Sequence, residues 1–487
     1  MKKLLLLTLA LSLALSLLSL PASAEGPVIA LFGIGATIPE TDQVIPELEK
    51  RLGIDLNLEN MTADNAALTT RIASGDIPDI FRIPDLNMIS TFYDNGVLLN
   101  VRDYLDDMPH VKEVFTNDYW GPLTFDGGYY AIPRRAQVNY MSWYVRADWL
   151  EALNLAMPTT LDEVLEIAKA MNAADFDGNG KADTYAISGA GISSRSGAFN
   201  GFFTAYGVTN PKTIMIRDNQ AVYACTTEEF KLAIEDIRRF VEAGVVDPEI
   251  VSNNMDALRE KAASGKTGIV YTGWTEYSKQ AYHDILVSVY PDAKWQHFEL
   301  PIATPYGVSG AIQTAVNYSF CYGLSADLAD DPAKLDAVLK MLDYITYGEG
   351  DLLMSYGVEG VHFVKDGDKI VKQPAMNDLT YGWALQITGR DDMVYCMTKF
   401  DECADEIEYA ATEIPMYYHY EGFVQQPEGI NVADLKSYEE EQLTQFIFGG
   451  RDMAEWDKFI ETLYSSYNLG GYMESATEQL TALGYLK

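Results

Sequence analysis

Downstream of residue 25, short apolar runs alternate with amphipathic stretches. Val28–Phe32 is an apolar run that ends at glycines, which predicts a strand. Apolar positions recur at helical spacing from Thr41 to Leu52, and a second strand pattern covers Ile54–Leu58. A helix pattern over Ala66–Ala73 then leads to a third strand at Ile80–Phe81. This alternation predicts a parallel α/β sheet, whose ligands bind beyond the carboxyl ends of the strands.

The pattern changes after Asp126, where two glycines predict a tight turn. Tyr129–Ile132 predicts a strand that a proline ends, and Val138–Val145 is again rich in strand-forming residues. A short helix is predicted from Asp148, and Thr159–Glu163 carries a capping signature for a second helix. The order of these elements indicates that the chain leaves one lobe here and begins another.

The remaining periodic segments predict further elements of both lobes. The predicted elements are helices over Thr226–Gly244, Asp256–Ser264 and Pro332–Tyr347, and strands over Gly268–Thr272 and Ala311–Leu324. We expect the last strand to return the chain to the first lobe.

The first residues resemble a secretory signal peptide. Met1–Lys3 is basic, Leu4–Leu20 is apolar, and Ala22–Ala24 is a small-residue cleavage pattern. A membrane anchor is the alternative, but the small residues and the lack of basic residues after the apolar run favour cleavage. No cysteine precedes Cys225, so we expect no lipid anchor. The mature chain is expected in a periplasm or at the cell surface.

Composition and charge narrow the classes of partner. The 487 residues are 48% hydrophobic, and Asp and Glu outnumber Lys and Arg by 71 to 35, for a net charge of −36. Such an acidic chain is not expected to bind nucleic acid or anionic membranes, because both favour clustered positive charge. The four cysteines show no metal-binding spacing, and we expect Cys396 and Cys403 to be free, buried thiols.

One motif predicts a calcium site. Asp175, Asp177 and Asn179 supply oxygen atoms at alternate positions, a glycine follows, and Asp183 stands at the ninth position, as at the start of an EF-hand loop. Ala186 occupies the twelfth position, so the usual bidentate Glu is missing. A plain turn is the alternative. A bound calcium ion would stabilise the loop and would take no part in catalysis.

Three spaced motifs resemble one protein family. Gly128–Pro133, Tyr144–Leu150 and Pro158–Glu163 together are similar to the family 1 extracellular solute-binding proteins of bacterial ABC importers. The most similar branch is the long one that includes the alginate-oligosaccharide-binding and LipO-like proteins. The resemblance implies a class II periplasmic-binding-protein-like α/β fold, in which two lobes joined by hinge crossings enclose a ligand cleft. It also implies that the carbonyl of Lys181 belongs to the calcium ligands.

The resemblance further implies domain boundaries and partners. The predicted division is a signal peptide at 1–24, lobe 1 at 25–141 plus 312–358, and lobe 2 at 142–311 plus 359–487. The expected function is capture of a carbohydrate, with an oligosaccharide favoured, by a monomer that delivers it to the membrane permease of an ABC transporter.

Candidate ligand-binding residues were chosen at lobe crossings and at strand ends. They are Arg134, Arg135, Tyr140, Trp143, Trp274, Tyr277, Glu359 and Trp383. Aromatic faces suit the C–H face of a pyranose, and arginine suits a carboxylate or paired hydroxyls. Alternation in an extended segment points Arg134 and Arg135 to opposite sides, so one of them is expected to reach the ligand and the other to pair with a structural acid.

No catalytic motif was found. GxSxG, HExxH and P-loop patterns are missing, and the five histidines are scattered. We therefore expect a binding protein and not an enzyme. Two rival hypotheses remain, a secreted glycoside hydrolase or lyase, and a protein that binds another solute or feeds a sensor.

Overall fold

The computed structural model describes most of the chain downstream of residue 25. The described ranges are 26–60, 66–84, 86–137, 141–176, 178–181, 183–191, 197, 199–273, 287–315 and 320–487. Within these ranges no helix combines the length and the apolar character needed to cross a bilayer.

Strands and helices are numbered in chain order. The strands are β1 Val28–Phe32, β2 Asp55–Glu59, β3 Ile80–Ile83, β4 Thr124–Phe125, β5 Gly128–Tyr129, β6 Met141–Arg146, β7 Ile187–Ser188, β8 Ile214–Arg217, β9 Gln220–Tyr223, β10 Ile269–Gly273, β11 Trp295–Phe298, β12 Ala311–Thr314, β13 Cys321–Leu324, β14 Phe363–Asp366, β15 Lys369–Lys372 and β16 Met416–His419. The helices are α1 Val44–Leu52, α2 Ala66–Ala73, α3 Asn87–Asp94, α4 Pro109–Val114, α5 Asn117–Trp120, α6 Ala147–Leu153, α7 Leu161–Ala173, α8 Asn200–Tyr206, α9 Glu228–Glu242, α10 Met255–Ala263, α11 Pro332–Thr346, α12 Gly348–Tyr356, α13 Asp392–Lys399, α14 Ala404–Glu408, α15 Val432–Ile447, α16 Trp456–Tyr467 and α17 Leu469–Ala482.

The sheet of lobe 1 has the strand order β2-β1-β3-β13. β1 pairs in parallel with both neighbours, with Leu31 beside Leu58 of β2 and beside Ile80 of β3. β13 joins β3 as an antiparallel edge, with Tyr322 opposite Arg82. The predicted parallel α/β sheet is thus confirmed, with one antiparallel strand added. The ends of β1, β2 and β3 form the carboxyl edge of lobe 1, where ligands of such sheets bind.

The sheet of lobe 2 has the order β11-β6-β10-β7. β6 lies antiparallel to β10 and β11, so that Trp143 stands opposite Tyr271 on one side and Phe298 on the other. The capping signature before α7 is confirmed. Thr160 Oγ1 accepts a hydrogen bond from the Glu163 amide at 3.2 Å, and the Glu163 carboxylate accepts one from the Thr160 amide.

The returning segment Ala311–Leu324 was predicted as one strand, and this prediction is wrong. β12 pairs in parallel with β16, starting at Ala311 and Met416, whereas β13 pairs with β3 in lobe 1. β12 and β13 therefore belong to different sheets, because each pairs with a strand that is distant from it in the sequence.

The cores of the two lobes are separate hydrophobic clusters, and the lobe 1 cluster extends beyond the predicted boundary at residue 358. Leu379, Tyr381 and Leu385 pack in that cluster, although we assigned them to lobe 2. Tyr381 Oη also donates a hydrogen bond to Asp42 Oδ1 at 2.5 Å. The assignment was wrong because these apolar side chains find their contacts on lobe 1.

Candidate functional site

The loop after β1 packs closely against two side chains at the carboxyl edge. Gly33 and Gly35 have φ angles of +99° and +74°, a conformation that glycine adopts at little steric cost. A Cβ atom on Gly35 would lie 2.5 Å from Nη1 of Arg82 and 3.1 Å from Cη2 of Trp383. Because Gly35 has no side chain, a guanidinium and an indole both approach the backbone just beyond β1.

Trp383 is held at this edge by a 3-10 turn, Gly382–Leu385. The next two residues, Ala384 and Leu385, are each 4% exposed in the core of lobe 1, whereas Trp383 is 44% exposed. The core therefore fixes the turn and leaves the indole accessible. A large aromatic ring in this position can stack on a flat or apolar ligand face.

Two arginines contact the ring of Phe320. The Cζ atom of Arg82 lies 3.7 Å from the ring centroid, and that of Arg134 lies 3.9 Å from it. Arg134 is 3% exposed, and its Nε donates a hydrogen bond to the Gln386 carbonyl at 2.8 Å. Among the described residues, Nε of Arg82 and Nη1 of Arg134 have no hydrogen-bond partner, and neither side chain has a carboxylate partner. We call Arg82 and Arg134 the arginine pair.

Two further arginines near this ring are matched by acids. Arg135 Nη1 lies 3.1 Å from Asp351 Oδ2. Arg390 Nε lies 3.2 Å from Asp392 Oδ1, and its Cζ is 3.2 Å from the centroid of Tyr395. The region thus holds four guanidinium groups and two paired carboxylates, and the arginine pair supplies the excess positive charge.

A cavity beside Phe320 brings Arg134, Arg390 and Trp383 together. It is lined by Arg134, Arg135, Ala136, Gln137, Phe320, Trp383, Gln386, Gly389, Arg390 and Asp392. Gln137 shortly precedes β6, a strand of the lobe 2 sheet, and Phe320 directly precedes β13, a strand of the lobe 1 sheet. The cavity is therefore lined by residues that neighbour strands of both sheets in the sequence.

Burial lowers the pKa of both members of the arginine pair. The pKa of the Arg134 guanidinium is lowered to about 10, mainly by burial and in part by the charges of Arg390 and Arg82, while Tyr322 and Asp392 act in the opposite direction. With a pKa of about 10, the Arg134 guanidinium stays protonated at neutral pH. A positive site in a chain of net charge −36 attracts anionic or electron-rich ligands.

The neighbours Arg134 and Arg135 point in different directions, as alternation in an extended segment predicts. Arg134 turns toward Phe320, whereas Arg135 turns toward Asp351 and also donates to the Thr346 carbonyl. Arg135 is thus largely engaged within lobe 1, and Arg134 remains the candidate for ligand contact.

Trp143 does not lie at this site. Its side chain is 0% exposed, and its ring packs 5.5 Å from Tyr271 and 6.2 Å from Phe298, measured between centroids. This burial contradicts the predicted stacking role, because an enclosed ring presents no face to a ligand. Trp143 belongs to the core of lobe 2.

Glu359 lies in a different cavity. Its carboxylate is 3.4 Å from Lys365 Nζ, and the surrounding side chains include Arg51 and Glu349. None of these residues lines the cavity that contains Arg134 and Trp383. The structure therefore does not bring Glu359 together with Arg134 and Trp383.

Three predicted ligand residues, Tyr140, Trp274 and Tyr277, lie outside the described residues, as does the predicted calcium ligand Asp177. Their roles stay predictions.

The other residues of the calcium motif form a compact turn. The Asp175 carboxylate accepts hydrogen bonds from the amides of Asn179 at 3.1 Å and Gly180 at 2.7 Å. Asn179 Nδ2 donates to Asp183 Oδ1 at 3.0 Å, and this bond lowers the pKa of Asp183, as does nearby Lys266. The amide of Lys181 donates to Asn179 Oδ1 at 2.7 Å. Among the described residues, no group of three or more His, Cys, Asp or Glu side chains is placed to hold a metal ion.

Sequence reasoning missed Arg82, Phe320, Gln386 and Arg390. One available signal was the strand Ile80–Ile83, in which Arg82 is a single charge among apolar residues. A charge between buried strand residues is costly unless it has a partner, and it therefore favours a role in binding for Arg82. Phe320 and Gln386 carry no comparable local signal.

Comparison with known proteins gives sequence relatives that are named for the saccharides they bind, although no family model matches the chain. The polygalacturonan/rhamnogalacturonan-binding protein YtcQ of Bacillus subtilis is 25% identical over 342 residues, which are 68% of this chain and 65% of that protein. The fructooligosaccharide ABC transporter substrate-binding protein FusA of Streptococcus pneumoniae is 27% identical over 257 residues, 48% of this chain and 47% of that protein. The matched segments thus span less than two thirds of these relatives.

Solved structures share the fold over nearly the whole chain. The alginate-binding protein AlgQ2, in a crystal structure without calcium ion, superposes with a TM-score of 0.71 at 16% identity, covering 94% of this chain and 99% of that one. A family 1 extracellular solute-binding protein from Bifidobacterium longum subsp. infantis gives a TM-score of 0.52 at 15% identity, covering 91% and 100%. The architecture is therefore the periplasmic-binding-protein-like fold. The chain is thus similar in sequence to saccharide-binding proteins and shares its fold with solved solute-binding proteins, in agreement with the family that the spaced motifs resemble.

Proposed function

We propose that this chain is the extracytoplasmic solute-binding component of an ABC importer and that it captures an oligosaccharide. The observation that carries the proposal is the accessible indole of Trp383 beside guanidinium groups, in a cavity at the carboxyl edge of lobe 1. The indole face suits the C–H face of a pyranose ring, and arginine N–H groups suit its hydroxyl oxygens. Ligand sites in open α/β sheets lie at this edge.

The names of the relatives support a carbohydrate as the ligand class. YtcQ is named for polygalacturonan and rhamnogalacturonan, FusA for fructooligosaccharide, and AlgQ2 for alginate. These saccharides differ in charge and linkage, yet each is a polymer or oligomer. An oligosaccharide therefore fits the relatives better than a peptide or an amino acid.

The proposed import role also assigns a location, partners and a motion. The mature chain would begin near Glu25 and act outside the cytoplasmic membrane, in a periplasm or at the cell surface, as a monomer that docks on the permease. Closure would bend the passages between the lobes. Tyr485 Oη lies 3.5 Å from Asp118 Oδ1, and Leu483 packs near Gly121, so closure would also act on these contacts between the lobes.

We also propose calcium as a structural ion of the loop at Asp175–Asp183. The positive φ of Gly180, 73°, and the amide hydrogen bonds to Asp175 fit the first half of an EF-hand loop. Carboxylate and amide oxygens of Asp175, Asp177, Asn179 and Asp183 and the Lys181 carbonyl would hold the ion. Chelation should lower the melting temperature, and Asp177→Ala should remove that response. An unchanged melting temperature of the wild-type protein on chelation would mean that the motif is only a turn.

The experiment that tests the proposed function is a thermal-shift panel of oligosaccharides, peptides and amino acids. A ligand present at about 100 times its Kd stabilises a protein by about 2.7 kcal/mol, so a binding glycan should raise the melting temperature clearly. Each stabilising glycan is then incubated with the protein and assayed for new reducing ends. Stabilisation by peptides or amino acids alone would contradict the proposal. Release of reducing ends at a rate set by the protein concentration would identify an enzyme instead.

A further inference from the structure

The arginine pair is positively charged without an acid to balance it. Arg82 and Arg134 have no carboxylate partner among the described residues, whereas their neighbours Arg135 and Arg390 are paired with Asp351 and Asp392. Buried charges in proteins are normally paired, because removing them from water is costly. Arg134 is buried and Arg82 is half-buried, and both contact a single ring, Phe320, so their unbalanced charge requires an explanation.

Unmatched polar atoms accompany this excess charge. Nη1 of Arg134, Nε of Arg82 and Oε1 of Gln386 are enclosed and have no hydrogen-bond partner in the described part of the chain. Arg134 and Gln386 line the same cavity as the accessible indole of Trp383. Buried polar atoms without a partner beside a cavity are typical of a site that a ligand completes, and the two guanidinium nitrogens among them are donors that require an acceptor.

We propose that the bound oligosaccharide carries a carboxylate, as in a uronic acid residue, and that the arginine pair binds this group while the sugar ring stacks on Trp383. This inference rests on the proposed function and names the ligand class of the same site. The planar guanidinium fork matches the two oxygens of a carboxylate. Phe320 orients both guanidinium groups, and Gly35 gives Arg82 and Trp383 room to share one edge.

The specificity follows from the same geometry. A neutral sugar offers hydroxyl oxygens to the guanidinium groups but leaves their charge unbalanced, whereas a carboxylate supplies both hydrogen bonds and charge. An oligosaccharide sulfate would share this chemistry with different oxygen geometry. Because the planar carboxylate fits the guanidinium fork, uronate-containing glycans should bind about 10- to 100-fold more tightly than neutral glycans of the same linkage, and more tightly than sulfated ones.

The test measures affinity by calorimetry for matched glycan pairs. Oligomers of galacturonate, glucuronate and mannuronate are each compared with the product in which the carboxyl group is reduced to a hydroxymethyl group, and with sulfated galactose oligomers. The expected result is tighter binding of at least one uronate oligomer than of its reduced partner. Equal or tighter binding of the reduced partner, or of the sulfated glycan, overturns the inference and leaves the proposed function standing. If no glycan binds, the proposed function itself fails.

Variants locate the effect at the arginine pair. Arg134→Met and Arg82→Met should each weaken binding of the uronate oligomer about tenfold or more and change binding of a neutral glycan less than threefold. The matched control is Arg217→Met in lobe 2, which removes an arginine that also contacts an aromatic ring but is paired with Glu229 at 3.0 Å. This control should bind the uronate oligomer like the wild type. Equal losses for acidic and neutral glycans, or a loss in the control variant, would overturn the assignment. If Arg134→Met fails to fold, Arg82→Met and the wild-type preference still decide.

Discussion

The interior of lobe 2 and the carboxyl edge of lobe 1 each contain an arginine and a tryptophan, but these residues differ in exposure and in charge pairing between the two regions. In lobe 2, Trp143 is 0% exposed, and Arg146, at 3% exposure, donates two hydrogen bonds to Asp148 at 2.7 and 2.5 Å. In lobe 1, Arg134 is also 3% exposed but has no acid among the described residues, and Trp383 is 44% exposed. Equal burial of the two arginines thus comes with unequal pairing.

The difference in pairing distinguishes an arginine that stabilises the fold from one that is available to a ligand. The Arg146 guanidinium contacts the Trp149 and Trp295 rings at 4.6 and 5.7 Å as well as its carboxylate, so the chain itself satisfies the charge. Arg134 contacts a ring in the same way, but no carboxylate of the described residues forms an ion pair with it. We therefore expect the lobe 2 residues to stabilise the fold and the lobe 1 residues to act on a ligand.

The largest effect is expected for the two tryptophans. Trp143→Ala should lower the free energy of unfolding by about 3 to 5 kcal/mol, because it leaves a cavity in a packed core. Trp383→Ala should lower it by less than about 1 kcal/mol but should cost about 1 to 3 kcal/mol of glycan affinity through lost stacking area. Urea denaturation and calorimetry of both variants measure the two quantities. A Trp383→Ala protein that binds like the wild type would remove Trp383 from the site.

The two arginines should differ next. Arg146→Met should destabilise the protein by about 2 to 3 kcal/mol, a value reduced for the partial exposure of Asp148, because it leaves that carboxylate without its partner. Arg134→Met should change stability by less than about 1 kcal/mol, since it removes an unbalanced charge together with one hydrogen bond. Urea denaturation of the two variants gives the comparison. Equal destabilisation would show that Arg134 has an acid partner within the chain.

The smallest expected effect concerns the glycine beside the arginine pair. Gly35→Ala and Gly53→Ala both place a Cβ at positive φ, +74° and +65°, so each should cost about 1 kcal/mol of stability. The Gly53 Cβ meets nothing within 4 Å, whereas the Gly35 Cβ would displace the Arg82 guanidinium. Only Gly35→Ala should therefore weaken glycan binding, by several-fold in calorimetry. Equal affinity of the two variants would contradict the proposed role of Arg82.

The sequence predicts the local elements of the fold well, because their signals lie within short windows. Val28–Phe32 and Ala66–Ala73 have the predicted bounds, and the cap at Thr160 forms as expected. The boundary at residue 358 and the single strand over Ala311–Leu324 failed, because both depend on which lobe an apolar segment contacts. That choice is made by contacts between residues distant in the chain.

The candidate site was only partly predictable for the same reason. Arg134 and Trp383 were chosen from their residue type and position, and alternation correctly separated Arg134 from Arg135. Trp143 shows the same signals as Trp383, and only packing against the lobe 2 sheet distinguishes them. The partnership of Arg82 with Phe320 joins neighbouring strands that are far apart in sequence, so no local pattern reports it.

The most direct test is a crystal structure of the protein with the glycan that the binding panel selects. We expect a carboxylate oxygen of the glycan to lie at about 3 Å from a guanidinium nitrogen of Arg134 or Arg82, with a pyranose ring parallel to the indole of Trp383. A glycan bound away from this cavity, or a carboxylate of the chain itself on the arginine pair, would contradict this expectation.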